Sequence, residues 1–337
     1  MVTDTWIITC YFNPCRYLTK KYNFDVFAAR LKSSRANLLV VEMALEDGEF
    51  ELGEEHQVIR VRGAGVMWQK ERMLNIAIAN LPSSCTKVAW LDCDLLFEDE
   101  DWLQASSEML DRCWVVQPFA SCVRLPRGDL TYRGRGQEDQ TVTESFAAAF
   151  ARDPSLARDA PYRDHGHTGY AWAARRELLD ACGLYDACLT GSGDHLMAHA
   201  FAGTPHSPCI PATIGADGPY AAHFARWAAK VDRMAGGSLG HVPGRVLHLW
   251  HGAVTDRRYY WRNQEFKTLG FDPDRHLRLE PSGLWGWGEA PARIREWASE
   301  LFVSRNEDGE RAPHPPPPER PLLPGFRTSD AQVQRSR

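Results

Sequence analysis

The chain has 337 residues, enough for one large or two small domains, and its 44% hydrophobic and 25% charged content is ordinary for a soluble globular protein. A net charge of −5 argues against a generic binder of polyanions, which needs many Lys/Arg–phosphate contacts. Nine scattered cysteines without a CxxC pair argue against a disulfide framework or a structural zinc site and favour reduced thiols in the cytoplasm. The first residues lack the charged-then-apolar pattern of a signal peptide, and no run approaches the ~18 apolar residues of a membrane span.

In chain order, Trp6–Phe12 reads as a buried strand ended by Asn13-Pro14, and Phe24, Phe27, Ala28 and Leu31 give Asn23–Lys32 the spacing of an amphipathic helix. Asn37–Glu42 and Val58–Val61 read as strands. Gln69–Leu81 reads as a helix with a broad apolar face and Pro82 just beyond its end. Lys87–Leu91 is a fourth strand. Strands alternating with helices predict βαβ units and ligand binding beyond the carboxyl ends of the strands. Arg124–Gly169, rich in Arg, Asp, Gly and Pro, reads as a long surface insertion and a possible lid over an acceptor, with a short helix near Thr143–Phe150. Ala173–Cys182 reads as a helix closed by Gly183, and Gly191–Asp194 opens another over His195–Phe201. Pro243–His251 holds a short strand, and Asp256–Leu269 reads as a helix. Residues 306–337, with four consecutive prolines, read as a disordered tail after a single domain at 1–305.

The chemistry concentrates at Asp92-Cys93-Asp94, set between the apolar runs Val88–Leu91 and Leu95–Phe97. Burying even a neutral polar group without a partner costs ~2–7 kcal/mol, and a carboxylate costs more. Mn²⁺ or Mg²⁺ shared with substrate phosphates would compensate such a pair. A turn-proximal acidic patch explains Glu98–Asp101 but not Asp92 and Asp94, which apolar residues enclose. Asp194 is either a helix cap or a general base for an acceptor hydroxyl. His248 and His251 flank Leu249-Trp250. As i and i+3 of a strand they face opposite sides, so only one of the two would point at a metal, the alternative being a satisfied core or edge histidine. Lys70, Arg72 and Asn75, early in their helix, reach either a diphosphate or only solvent. Arg257, Arg258 and Arg262 could clamp a phosphate. His165-Gly-His167 reads as a polar loop turn.

The order of these segments resembles a glycosyltransferase of the GT-A fold, close to family 2 and galactosyltransferase-like domains. The segments are Thr9–Asn13, Glu42, the Lys70/Asn75 helix, Asp92-Cys93-Asp94, Gly191–Asp194 and His248–His251. The resemblance covers residues 5 to about 270. It implies an α/β, Rossmann-like mixed sheet with helices on both faces. It also implies a nucleotide-sugar donor, usually a UDP-sugar, a glycan or other hydroxyl acceptor, and no nucleic acid. Thr9, Tyr11 and Asn13 match the nucleotide contacts, and Glu42 matches the acid near base or ribose. Asp92 matches the ribose or metal contact, and Asp94 the ligand of Mn²⁺ or Mg²⁺. His248 or His251 matches the late metal-ligand histidine, and Asp194 the base of inverting members. Where the family often has Glu-Asp or Glu-x-Asp, this chain has Gly193-Asp194-His195. The same aspartate pair would also serve a nucleotidyltransferase, although no GxxxxGK[ST] loop is present. A non-catalytic carbohydrate- or nucleotide-binding module, with tryptophans for recognition, is the remaining alternative.

Overall fold

The computed structural model of the protein describes residues 4–33, 36–134, 142–161 and 164–310. Eleven strands build two sheets. They are β1 (Thr5–Phe12), β2 (Asn37–Leu45), β3 (Val58–Gly63), β4 (Lys87–Leu91), β5 (Leu95–Phe97), β6 (Val115–Gln117), β7 (Ser121–Arg124), β8 (Val142–Glu144), β9 (Ala171–Arg175), β10 (Leu239–His241) and β11 (Arg245–His248). The larger sheet runs β10-β6-β9-β4-β1-β2-β3. Its β4-β1-β2-β3 half is parallel, and β9 runs antiparallel to both β4 and β6. The smaller sheet runs β5-β11-β7-β8.

The central strands are apolar on both sides because both faces are covered. Ile8, Trp90 and Trp172 join a core with the helices Lys70–Ala79, Gly193–Phe201 and Pro219–Ala235. Ile7, Ala89, Leu91 and Ala173 join another with the helices Leu18–Ser33 and Trp102–Leu110. This is the mixed, Rossmann-like sheet with helices on both faces that the glycosyltransferase resemblance implies. Among the described residues, no helix is long and apolar enough to cross a membrane.

Several sequence expectations need correction. Ala173–Cys182 is not one helix: Ala171–Arg175 is β9 and only Arg176–Cys182 is helical. Pairing of Ala173 and Ala174 with Ala89 and Val88 of β4 overrides the helix preference of alanine. The helix expected over 256–269 splits into a 3₁₀ turn, Val254–Arg257, and a helix, Tyr259–Lys267, separated by Arg258 with φ 46°. The described part of 124–169 is only partly a surface segment: 126–134 is irregular with several exposed residues, but the rest builds structure. β8 closes the smaller sheet on β7, and Phe146, Ala147 and Ala149 of the helix Phe146–Arg152 are fully buried. Residues 135–141 and 162–163 lie outside the described residues.

The proposed tail also begins too early. Arg305, Asn306 and Glu307 are buried, and Asn306 Nδ2 donates to Asp256 Oδ2 at 3.1 Å. Asp308 accepts from the backbone N–H groups of Leu18 and Thr19 at 3.0 and 2.7 Å, so it caps a helix nearly 300 residues earlier. Residues 311–337 lie outside the described residues. Asp308→Ala is expected to cost about 1 kcal/mol, read as a lower urea midpoint with an unchanged slope. An unmoved midpoint would show that water caps that helix equally well.

Candidate active site

β4 delivers Asp92 at its carboxyl end, where the Asp92 N–H donates to the Tyr170 carbonyl at 2.8 Å. The chain then passes from the larger sheet to the smaller one within three residues. β5 pairs antiparallel with β11, so that His248 faces Leu95, and the Leu249 N–H donates to the Asp94 carbonyl at 2.9 Å. This register brings Asp94 Oδ2 within 3.8 Å of His248 Nε2 and 3.3 Å of His251 Nε2. Both histidines therefore converge, contrary to the expectation that only one would. β11 ends at His248, and the following turn through Leu249-Trp250 does not keep strand alternation.

One carboxylate and two imidazoles make a three-donor face, with all donor atoms within 4.8 Å of one another. Asp94 Oδ1 is buried and has no hydrogen-bond partner. Burial pushes the Asp94 carboxyl up to about 7, with the Asp92 charge adding to the shift and Lys20 opposing it. Burial holds His248 well below its usual range, and burial plus the Arg257 charge holds His251 down to about 3. Both rings are thus neutral at pH 7, as a metal ligand must be. The donor set and the orphaned carboxylate oxygen fit a divalent cation of the Mn²⁺ type, with positions left open for substrate oxygens.

Behind this face lies Glu307. Its Oε1 accepts from Arg305 Nε at 2.6 Å and Arg257 Nη1 at 3.2 Å, and stands 3.6 Å from His251 Nδ1. Arg257 also contacts the Nδ1 and carbonyl of His251. Burial alone would raise the Glu307 carboxyl, but Arg305, Lys20, His251 and Arg257 together hold it far below the glutamate range. A guanidinium can only donate, so the Arg257 contact makes His251 Nδ1 an acceptor and leaves the ring hydrogen on Nε2; ligation through Nε2 would need that hydrogen to leave or move to Nδ1, where Glu307 stands as acceptor. Neither Glu307 nor Arg305 emerges from sequence reading, because both stand at the apparent start of a tail.

Asp92 does not join the three donors. Lys70 Nζ, from the first turn of its helix, donates to Asp92 Oδ1 at 2.6 Å and to Asp194 Oδ2 at 2.7 Å. Burial would lower the Lys70 ammonium, but the charges of Asp194, Asp92 and Glu71 outweigh it and hold it well above its usual value. Asp194 Oδ1 is buried without a hydrogen-bond partner, and burial raises this carboxyl while Lys70 opposes the shift. Glu71, 1% exposed, lies beside them. A Cβ at Gly193 would fall 2.6 Å from Glu71 Oε1, so the glycine of Gly193-Asp194 is what admits this third acid. Burial pushes the Glu71 carboxyl up to about 8, against the pull of Lys70.

The remaining candidates divide. Tyr11 and Asn13 donate to Glu51 Oε2, and with Glu42 they line a small cleft at the ends of β1 and β2. Glu42 is 1% exposed and its Oε1 accepts from the backbone N–H groups of Glu51 and Leu52. It shapes the cleft wall rather than presenting a free carboxylate. Thr9 is fully buried, and its hydroxyl donates to the Leu91 carbonyl at 2.7 Å. Its side chain ties β1 to β4 instead of facing a nucleotide. Asn75 turns to the Leu184 carbonyl and Asp186 Oδ2, at 3.0 and 2.9 Å, on the opposite side of its helix from the site. Tyr170 was not anticipated. With φ 82° it stacks between His167 and His248, at ring distances of 4.0 and 4.6 Å, while its carbonyl holds Asp92. A strained backbone of this kind has no sequence signature outside glycine.

No family model matches the sequence, and no curated protein matches it. Among solved structures, the catalytic domain of Drosophila beta1,4-galactosyltransferase 7, in complex with xylobiose, matches at 11% identity with a TM-score of 0.31, over 58% of each chain. The present chain thus spans less than two thirds of that one. The 4-diphosphocytidyl-2C-methyl-D-erythritol synthase of Anaerococcus prevotii matches at 10% identity and TM-score 0.34, over 89% of this chain and 99% of that one. Mannose-1-phosphate geranyltransferase of Thermus thermophilus matches at 11% and 0.28, over 73% and 74%. Scores this low carry no functional inference, which rests on the side chains just described.

Two outcomes follow from the lysine-centred cluster. Lys70→Ala is expected to cost about 3–5 kcal/mol in urea unfolding, because it strands two partly buried carboxylates; a loss below 1 kcal/mol would mean that water already compensates them. For Glu71, the folded value of about 8 lies above the ordinary 4.5. Its stabilising contribution is therefore complete below about pH 4.5 and is lost as pH rises through 8. Glu71→Gln is expected to flatten the decline in stability between about pH 5 and 8, which for one proton reaches at most about 1.4 kcal/mol per pH unit. Equal slopes in both proteins would place the titration on another group.

Proposed function

We propose that the protein is a metal-dependent glycosyltransferase, moving a sugar from a nucleotide-sugar donor of the UDP type to an acceptor hydroxyl. The observation that carries this reading is the convergence of Asp94, His248 and His251 at the carboxyl edge of the sheet, with an unpartnered Asp94 oxygen among them. A divalent cation held by these residues would screen the charge that grows on the departing diphosphate. Two imidazoles in the set suit Mn²⁺ better than Mg²⁺.

The protein's own groups supply the rest. The Tyr11–Asn13–Glu42 cleft, at the ends of β1 and β2, is placed to take the nucleoside. Lys20 and Arg257, whose charges act on Asp94, add positive potential where the diphosphate would lie. Asp194 is the assigned base. Its Oδ2 is held by Lys70, while its Oδ1 is free to accept the acceptor proton, and its raised carboxyl makes it a stronger base than an exposed aspartate. Attack from the Asp194 side, opposite the leaving diphosphate, gives inversion at the anomeric carbon. Asp92 steadies Lys70 and is a positioning residue in this scheme.

The experiment is donor turnover by the purified chain with Mn²⁺ and a panel of nucleotide sugars, read as released nucleoside diphosphate. Release is expected to require the metal and to fall at least about 100-fold in Asp94→Ala and His251→Ala. Asp194→Asn is expected to lower kcat about 10²- to 10⁴-fold while leaving donor affinity within a factor of a few. Pyrophosphate release from nucleoside triphosphates and a sugar phosphate would instead make the protein a nucleotidyltransferase. Metal-dependent donor binding without turnover on any acceptor would make it a recognition module.

A further inference from the structure

Three imidazoles and a thiol meet in the core behind the helix that bears Asp194. His195 and His199 lie four residues apart on the helix Gly193–Phe201, hence on one face. His165 comes from the segment before β9, and Cys209 opens the short helix Cys209–Ile214. One ligand atom from each of the four lies within 4.8 Å of every other. The four residues are 1%, 2%, 0% and 4% exposed in the order His165, His195, His199, Cys209. His165 therefore does not sit in the polar surface turn that His165-Gly-His167 suggests.

Hydrogen bonds set the tautomers of two rings. His165 Nδ1 lies 3.0 Å from the Gly166 carbonyl, which can only accept, so Nδ1 carries the hydrogen and Nε2 the lone pair. His199 Nδ1 lies 3.1 Å from Thr204 Oγ1, whose own hydrogen goes to the His199 carbonyl at 3.2 Å. Nδ1 is again the donor, which places the ring lone pair on Nε2. Burial keeps all three rings neutral. The rings of His165 and His195 stack at 5.2 Å, and His199 stands across them at 5.1 and 4.8 Å, with planes at 86° and 82°. Phe146 covers His165 and His199 edge-on and supplies an apolar shell.

We propose that His165, His195, His199 and Cys209 form a structural zinc site. No carboxylate belongs to the set, which selects zinc over the harder Mn²⁺ and Mg²⁺. Four protein ligands complete a tetrahedron and leave no open position, which makes the role structural. Zinc–nitrogen distances of ~2.1 Å imply ligand separations of ~3.4 Å, inside the 4.8 Å limit within which the four ligand atoms already lie. A Zn–S bond replaces the Cys209 S–H, and the proton leaves to solvent. The site does not depend on the proposed transferase activity. The absence of any CxxC pair hides it, because three of its ligands are histidines and the fourth is a single cysteine.

The test uses the full chain, purified without a histidine tag from zinc-supplemented cells. About one zinc per chain is expected by mass spectrometry, and Asp94→Ala is expected to retain it. After exchange, the Co²⁺ form is expected to show the strong visible bands of four-coordinate cobalt and a thiolate-to-cobalt charge-transfer band, which Cys209→Ser removes. Stripping the metal with a chelator is expected to lower the thermal midpoint. Three results overturn the proposal: no zinc bound by the wild-type chain after zinc titration, a wild-type Co²⁺ spectrum without the thiolate band, or zinc that disappears in Asp94→Ala. The cobalt spectrum of the wild type needs no variant to fold.

Discussion

The antiparallel ladder between β5 and β11 is the constraint on which the candidate site depends. β5 is three residues long and begins directly after Asp94. Its partners are fixed as Leu95 to His248, Leu96 to Leu247 and Phe97 to Val246. β5 is apolar throughout and β11 is apolar at its centre, and Phe97 and Val246 face a core continuous with the larger sheet. A slip of one residue would turn Leu95 and Phe97 to the opposite face and carry His248 away from Asp94. Main-chain pairing and buried apolar area thus bring Asp94 and His248 together, and the two imidazoles meet Nε2 to Nε2 at 2.9 Å. Two neutral imidazoles beside a carboxylate with an orphaned oxygen provide too little attraction to offset their own desolvation.

Buried charge follows the same division. The group around Lys70 gathers three acids on one cation, and the group around Glu307 gathers Arg257 and Arg305 on one acid. The first carries an excess of carboxylate, which the raised carboxyls of Glu71 and Asp194 express. The second carries an excess of guanidinium next to Asp94. Each imbalance would be a defect in a purely structural core. Both lie at the carboxyl edge of a sheet, an arrangement met more often at functional sites than in structural cores.

The strands and helices that carry local signals were legible. Lys87–Leu91 is as the sequence implies, and β1, β2 and β3 differ only by a few residues at their ends. β1, β2 and β4 bury residues on both faces, so composition alone suffices there. The pairing of Asp94 with a late histidine was legible from residue type and again through a family resemblance, and the second histidine was lost to an assumption of regular strand alternation. Glu307, Arg305 and Asp308 were illegible for a physical reason. Asp308 acts on Leu18 and Thr19, nearly 300 positions away, Glu307 acts on Arg257 and His251 in a distant turn, and the prolines that follow give the segment the composition of a tail. β9 was misread because its alanines favour helix locally and pairing with β4 decides otherwise. Thr9 and Asn75 have the right residue types at the right positions, but their side chains are committed to the Leu91 carbonyl and to the Leu184–Asp186 segment.

The helix Gly193–Phe201 joins these observations. Every residue in it except Asp194 is buried, including two histidines. An ordinary amphipathic helix has a polar stripe for solvent, and this one has none. Its first turn directs Asp194 toward Lys70, while His195 and His199 look the other way into the core. Hydrogen bonding accounts for one nitrogen of His199 through Thr204. The proposed cation, shared with His165 and Cys209, would tie the helix to the segment that leads into Tyr170. That segment ends at the carbonyl gripping the Asp92 N–H. The two aspartates that share Lys70 are thus positioned from one buried histidine cluster, Asp194 through its helix and Asp92 through the backbone of Tyr170.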